Sequence, residues 1–328
     1  MPSLPQTFFG VALLAARLYS LVEFRAPAVR RALDLVDGKW DLVVANEARA
    51  LPLARRIAGP ETPVWGDMHE WAPEERVHVL SWKLLIKPFM TWVCARHLPR
   101  MAAVSVVNDS IAALYRSEFG IDTVTVRNAR RFTDLTPSMM RPDVIRLVHS
   151  GAAVPGRNLE GMMAAAGILG SGYSLDLYLV PARDGGKYKA QLEGLAEEFG
   201  NVRLLPPVPP DDLPEVLNSY DVGIFSLPPR TRNHALMLPN KFFDFVQARL
   251  AIVFSPSPET SRLIEEFELG AIASDFSPEA LADAVLALSR TDIQNCKQSA
   301  HRHAIALSSA TDEQVERSLL TSLLTRAA

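Results

Sequence analysis

From Trp40 onward, short apolar runs alternate with stretches of helical periodicity. WDLVVAN (40–46) reads as a buried strand, ARALPLARRIA (48–58) as a helix and TPVWGD (62–67) as the next strand. Apolar runs recur at AAVSVV (102–107) and TVTVR (123–127). Between them SIAALYRSEFG (110–120) predicts a helix that Ser110 caps and Gly120 stops. The stretch NARRFTDLTPSMMRP (128–142) loses all periodicity and gathers turn formers, which marks a domain boundary.

The alternation then restarts. VIRLVHSG, LDLYLV, VRLL, DVGIF and AIVF predict strands, while LEGMMAAAGIL, DLPEVLNSY and PNKFFDFVQ predict helices, with Asp211 and Asp212 as caps of the middle one. Strands that alternate with helices build parallel sheets. The expected fold class is α/β, with two Rossmann-like doubly wound lobes. Such lobes place ligands at the carboxyl ends of their strands. The expected boundaries are 1–135 for the first lobe, 141–305 for the second and 306–328 for a carboxy-terminal helix.

A length of 328 residues with 48% hydrophobic content can fill two cores. A net charge of −3 carries no basic footprint for nucleic acid. Cys94 and Cys296 stand far apart, outside any disulfide or zinc spacing, so a reducing, cytoplasmic setting is expected. The apolar stretch FFGVALLAARLYSLVEF (8–24) contains Arg17 and lacks the flanks of a signal peptide, and it reads as a helix. No Asp-x-Asp occurs, and His301-Arg302-His303 reads as a surface cluster, so no metal site is expected. No Gly-x-Gly-x-x-Gly follows any predicted strand, which disfavours a dehydrogenase.

One junction carries chemistry. In HALMLPNKFFDF, Pro239 fixes the start of a helix whose first turn holds Asn240 and Lys241. Free amides and the positive end of the helix dipole suit an anion there, and Lys241 adds a cation. The segment alone leaves two readings: a phosphate site, or a solvated lysine on a helix whose phenylalanines fill a core.

The runs SGAAVPGRNLEGMMAA, LPPVPPDDLPEVLNSYDVGIF and LPNKFFDFVQARLAIVFSPSPE, in this order, resemble the nucleotide-sugar lobe of GT-B retaining glycosyltransferases of the family-4 type, glycosyl transferases group 1. WDLVVANEARALPLA, TPVWGDMHEW and VTVRN resemble that family's first lobe, which here lacks its opening strands. The resemblance implies a transfer from a nucleotide-diphosphate sugar to a glycan, lipid-linked or small-molecule acceptor, with retention, without metal and without a cofactor beyond the donor. By this resemblance Gly151, Arg157, Asn240 and Lys241 hold the diphosphate, Asp244 accepts ribose hydroxyls and His69 lies beside donor sugar and acceptor. Asn46, Glu47, Asp67 and Glu70 face the same cleft.

Departures accompany the likeness. Leu236 stands where the family carries a glutamate, Ala152 or Ala153 replaces an arginine, and Arg249 and Ala251 replace the usual glycine and proline. Arg249 tolerates a left-handed backbone poorly, so a different turn is expected. A nucleotide-sugar epimerase of the same fold, or a non-catalytic nucleotide-sugar-binding or partner module, are the competing readings, and a partner chain could complete the first lobe. Finally, VLSWKLLIKPFMTWVCARHLPR (79–100) mixes Trp82, Leu85, Phe89 and Trp92 with Lys83, Lys87, Arg96 and Arg100, without an acid. That composition suits either peripheral contact with the inner membrane face or aromatic residues packed on the first lobe's sheet with only the cations in water, in two helical pieces split at Pro88.

Overall fold

A computed structural model describes residues 4–25, 27–36, 38–182 and 184–327. Met1–Ser3 and Ala328, at the outer ends of the expected first lobe and terminal helix, lie outside them. The chain forms two compact units, Met1–Arg127 with Arg230–Leu236 and Glu313–Ala328, and Asn128–Pro229 with Met237–Asp312.

In the first unit the elements run α1 (Leu4–Ala15), α2 (Pro27–Leu35), β1 (Val43–Asn46), α3 (Leu51–Ala58), β2 (Val64–Met68), α4 (Lys87–His97), β3 (Ala103–Val106), α5 (Asp109–Phe119) and β4 (Val124–Thr125). The strands form a four-stranded parallel sheet in the order β1-β2-β3-β4, with Asn46 beside Asp67 and Asp67 beside Ser105. The order runs in one direction only, and no strand precedes β1 among the described residues. Leu51, Met68, Trp71, Val93, Cys94 and Tyr115 fill its core.

Two local expectations change. The predicted helix over 8–24 ends at Ala15, because Arg17 takes a φ of 56° and turns the chain into a short 3-10 turn at Tyr19–Leu21. Asn108, not Ser110, caps α5, its side chain accepting the Ile111 amide at 2.9 Å, while Gly120 closes the helix in the left-handed conformation. Pro88 does separate two pieces: a π-helical turn (Trp82–Ile86) and α4, which holds the proline in its first turn.

The second unit runs β5 (Ile145–Ala153), α6 (Leu159–Leu169), β6 (Tyr173–Pro181), α7 (Lys187–Ala196), β7 (Val202–Leu205), α8 (Leu213–Asn218) and β8 (Val222–Phe225). The short helix α9 (Arg232–Ala235) belongs to the first unit; then follow α10 (Asn240–Gln247), β9 (Ala251–Phe254), α11 (Pro258–Glu266), β10 (Gly270–Ile272), α12 (Pro278–Leu286) and α13 (Arg290–His303), and the last helix, α14 (Ser309–Ala327), returns to the first unit from Glu313 onward. Asp212 precedes α8 without a side-chain bond to the helix, so neither expected aspartate caps it. Six parallel strands lie in the order β10-β9-β8-β5-β6-β7. The chain winds outward from β5 through β6 and β7, then resumes on β5's other side with β8. The strand order therefore reverses between β5 and β8, and ligands of open α/β sheets bind beyond the carboxyl ends at such a reversal.

Arg249 overturns the expectation of a different turn. Its φ is 59°, so the left-handed turn survives without glycine. The side chain is fully buried, and its guanidinium donates to the carbonyls of Leu135 (3.1 Å), Gln247 (2.7 Å) and Thr133 (2.6 Å). These bonds offset the backbone cost and pin the irregular segment 128–142 along the second unit. Gln247 adds to the seam by accepting the Thr133 amide at 3.0 Å.

Candidate functional site

The reversal between β5 and β8 gathers the predicted phosphate-binding residues of the second unit. Pro239, at φ −74° and ψ 146°, delivers the chain into α10, so Asn240 and Lys241 occupy the first turn. Phe242, Phe243, Phe245 and Val246 are buried beneath them, so the helix packs a core, while Lys241 is half-buried and not freely solvated. The Lys241 side chain lies directly over Gly151, where a β-carbon would come within 2.9 Å of Cε and 3.0 Å of Nζ. A β-carbon there would push the end of the lysine aside.

Burial, with the nearby charge of Arg157 second, lowers the Lys241 pKa to about 8. Two cations held close suit an anion, even with the Asp244 carboxylate acting on Lys241 as a third and smaller influence. Arg157 is exposed in the loop between β5 and α6. Asn240 is exposed at the first turn of α10, and its Oδ1 accepts from Asn128 Nδ2 at 3.2 Å.

Asp244 is buried one turn along α10, and burial raises its pKa despite the Arg130 guanidinium, which donates to Oδ1 at 2.9 Å. A desolvated carboxylate with a second oxygen suits a vicinal diol. Arg130 was missed by the sequence reading, since it stands in a stretch with no periodic pattern. His149 was missed too, although a polar residue inside the apolar run of β5 is itself a signal. It is buried, and Nδ1–H donates to the Ile224 carbonyl at 3.1 Å. Burial and the charge of Lys241 push its pKa down to about 3, so the ring is neutral and Nε2 is an acceptor. The same hypothetical β-carbon on Gly151 would lie 3.4 Å from that Nε2, so His149 and Lys241 share the space over Gly151.

The first unit brings together a second group. His69 Nε2–H donates to Asp67 Oδ2 at 2.9 Å, Ser105 Oγ–H donates to Asp67 Oδ1 at 2.6 Å, and Trp65 Nε1–H donates to Ser105 Oγ at 2.8 Å. The hydrogen bond to Asp67 raises the His69 pKa. Burial pushes the Asp67 carboxyl up, but the bonds from His69 and Ser105 outweigh it and hold the pKa below the usual value. His69 is thus oriented by a fixed carboxylate, with Nδ1 turned to other partners.

Glu47, at the end of β1, is raised to about 7 by burial, and the charges of Glu70, Glu75 and Asp67 push the same way. Its backbone is at φ 70° and ψ 153°, a region occupied almost only by glycine. The amide of Glu47 donates to the Asp67 carbonyl at 2.8 Å and fixes that conformation. Asn46 is exposed at the strand end.

Glu70 is exposed after β2 and also takes part in an internal clip. Its carboxylate accepts from Asn233 Nδ2 at 3.2 Å, and its carbonyl accepts from Tyr115 Oη at 2.9 Å. Asn233 also accepts the Trp71 amide at 2.7 Å and donates to the Trp71 carbonyl at 3.2 Å. Arg232 reaches Glu74 at 3.3 Å, and the Leu236 carbonyl accepts from Asn108 at 2.8 Å, where the resemblance led us to look for a sugar-binding glutamate. Among the described residues no group of three or more metal-ligating side chains converges.

The profile of the family glycosyl transferases group 1 matches residues 145–291, the core of the second unit. No curated protein matches the chain. Among solved structures, TarM of S. aureus superposes with a TM-score of 0.67 at 13% identity, in a complex with fondaparinux, α-GlcNAc-glycerol and UDP. The alignment covers 90% of this chain and 57% of TarM, so the chain spans less than two thirds of that protein. Sucrose-phosphate synthase of Thermosynechococcus elongatus gives a TM-score of 0.70 at 14% identity, covering 94% of this chain and 80% of that one. The pneumococcal O-GlcNAc transferase GtfA, bound to UDP and GlcNAc, gives 0.66 at 11% identity, covering 90% and 59%. The fold is of the GT-B type, and within the second unit residues 145–291 are similar to glycosyl transferases group 1.

Proposed function

We propose that the chain is a retaining glycosyltransferase that moves a sugar from a nucleoside diphosphate to an acceptor hydroxyl. The observation that carries this reading is the placement of Lys241 over Gly151 at the strand reversal, with Arg157 close by and Asp244 one turn further along α10. In this reading the diphosphate lies across Gly151 and the amino terminus of α10, and the ribose diol donates to Asp244. UDP in the complexes of TarM and GtfA supports that class of donor.

During transfer the bond between the anomeric carbon and the phosphate oxygen breaks, and negative charge gathers on the leaving diphosphate. Lys241, Arg157 and the free amides of α10 stabilise that charge in place, which is electrostatic preorganisation. The acceptor oxygen forms the new bond on the same face, and its proton passes to a departing phosphate oxygen. No resident metal or cofactor enters this scheme. To His69, oriented by Asp67, we assign recognition of a sugar or acceptor hydroxyl.

The test is incubation with UDP-, GDP- and dTDP-sugars, with and without lipid-linked and free glycan acceptors. Nucleotide release that depends on acceptor is expected. Interconversion of donor sugars without acceptor would establish an epimerase instead, and binding without turnover a non-catalytic module.

A further inference from the structure

The segment with the composition of a membrane surface is only half exposed. Trp82 is buried, with the guanidinium groups of Arg49 and Arg76 at 4.9 Å and 5.8 Å from its ring. Phe89 and Trp92 stack on Tyr19 at 5.7 Å each and serve the interior of the first unit. The aromatic anchors expected from the sequence therefore hold the unit together.

What remains outside is aliphatic. Leu80 is 69% exposed and Leu84 62% exposed, one turn apart at the π-helical turn. Helix α1 packs beside this turn and adds Phe9 and Val11, while Leu21 lies just beyond it on the 3-10 turn that Tyr19 docks. Arg25 covers the Phe9 ring at 4.7 Å. Leu80 and Leu84, four residues apart, share one side of the turn and give it an exposed apolar face, beside which neighbouring elements expose Phe9, Val11 and Leu21.

Charge decides what this face fits. Residues 4–22 carry Arg17 and no acid, and residues 77–100 carry two lysines and two arginines and no acid, although Lys87 is paired with Glu74 at 2.6 Å and Glu75 lies between Arg49 and Arg76. The first acid between them, Glu23, is taken up by His97 at 3.1 Å and is nearly buried. Arg17, Arg25 and Lys83 are exposed around the leucines. A second copy of the chain would bring like charges together across such a face, which disfavours self-association. An anionic lipid surface satisfies both features, since leucines enter the acyl boundary while the cations meet headgroups.

We propose that the face formed by α1 and the Val79–Leu84 stretch is a docking surface for an anionic lipid bilayer. Among the described residues no helix is long and apolar enough to cross a membrane, so the contact is peripheral. This inference concerns where the chain sits and does not rest on the transfer reaction.

The experiment is sedimentation of the full chain with vesicles of phosphatidylcholine, alone or mixed with phosphatidylglycerol, at low and high salt. At low salt the bound fraction should be at least tenfold higher on the mixed vesicles, and high salt should reverse it. The double variant Leu80→Glu, Leu84→Glu alters only exposed positions. It should lose at least tenfold in vesicle binding while keeping its thermal melt and its affinity for UDP. Wild-type protein that ignores anionic vesicles at low salt, or a variant that binds them equally, overturns the proposal. So does a wild-type dimer that the same variant converts to monomer, because the face would then belong to a second copy. Absence of UDP binding by the wild type would count against the proposed function and leave the vesicle result standing.

Discussion

Replacing Lys241 by methionine should make the protein more stable and less able to bind a nucleoside diphosphate. The methionine keeps the apolar stem over Gly151 and removes the charge. Burial and Arg157 lower the lysine from 10.5 to about 8. That difference corresponds to about 3 kcal/mol at roughly 1.36 kcal/mol per pH unit. Lys241 is only partly buried, and residual solvent reduces the expected gain to about 1–2 kcal/mol. Because the folded-state pKa lies below that of the unfolded chain, the unfolded chain holds more protons between about pH 8 and 10.5. Wild-type stability should rise through that window, and the variant should lack the rise while standing above wild type at pH 7. Urea unfolding at pH 7 and pH 9.5 reads both effects. Calorimetric titration with UDP should show binding weakened by roughly 10–100-fold, the loss of one charge-assisted contact of about 1.5–3 kcal/mol. A variant that is less stable than wild type at pH 7, or that binds UDP unchanged, would refute the argument that function places this charge against stability.

Gly151→Ala should push the lysine aside and weaken UDP binding while changing the melting temperature little, since the obstructing atoms are the flexible end of Lys241. Glu47→Gly should stabilise the first unit by about 1–2 kcal/mol in urea unfolding at pH 8, relieving both a strained φ of 70° and a carboxylate whose pKa is near 7. The gain should shrink towards pH 5, where the wild-type carboxyl is protonated when folded. Arg249→Ala should cost about 3–5 kcal/mol by leaving buried carbonyls without donors, and Arg249→Gly about 1 kcal/mol less, because glycine accepts the left-handed turn. Asn233→Ala should cost about 1–3 kcal/mol through the Trp71 backbone groups it leaves unpaired.

The elements of the second unit were legible because its strands are buried on both faces and read as unbroken apolar runs, bounded by helices of clear period. Lys241 was legible for a local reason, the proline that fixes the helix start. Arg130 was not, because its role depends on where an irregular segment is pinned by Arg249, more than 100 residues later. The fate of Glu70 was likewise hidden. Its partner Asn233 lies 163 residues away, and nothing in DMHEW announces a partner at that distance. Arg249 misled for an energetic reason: a propensity rule of about 1–2 kcal/mol was outweighed by a set of buried hydrogen bonds. The membrane-like segment stayed open between two readings because composition does not tell which side of a helix faces the core; Trp82 went inward.

The Asn233 clip also bears on the chain during its synthesis. The amide and carbonyl of Trp71 receive their partner from a residue 162 positions downstream. At elongation rates of about 5–20 residues per second, roughly 8–30 s pass between the two residues leaving the ribosome. Once β4 has emerged the sheet of the first unit is complete in sequence and Tyr115 can hold the Glu70 carbonyl, yet the amide and carbonyl of Trp71 still lack their Asn233 partner. A ribosome stalled between residues 127 and 230 should therefore hold the loop that carries Trp71 in a more protease-sensitive state than it has in the released chain.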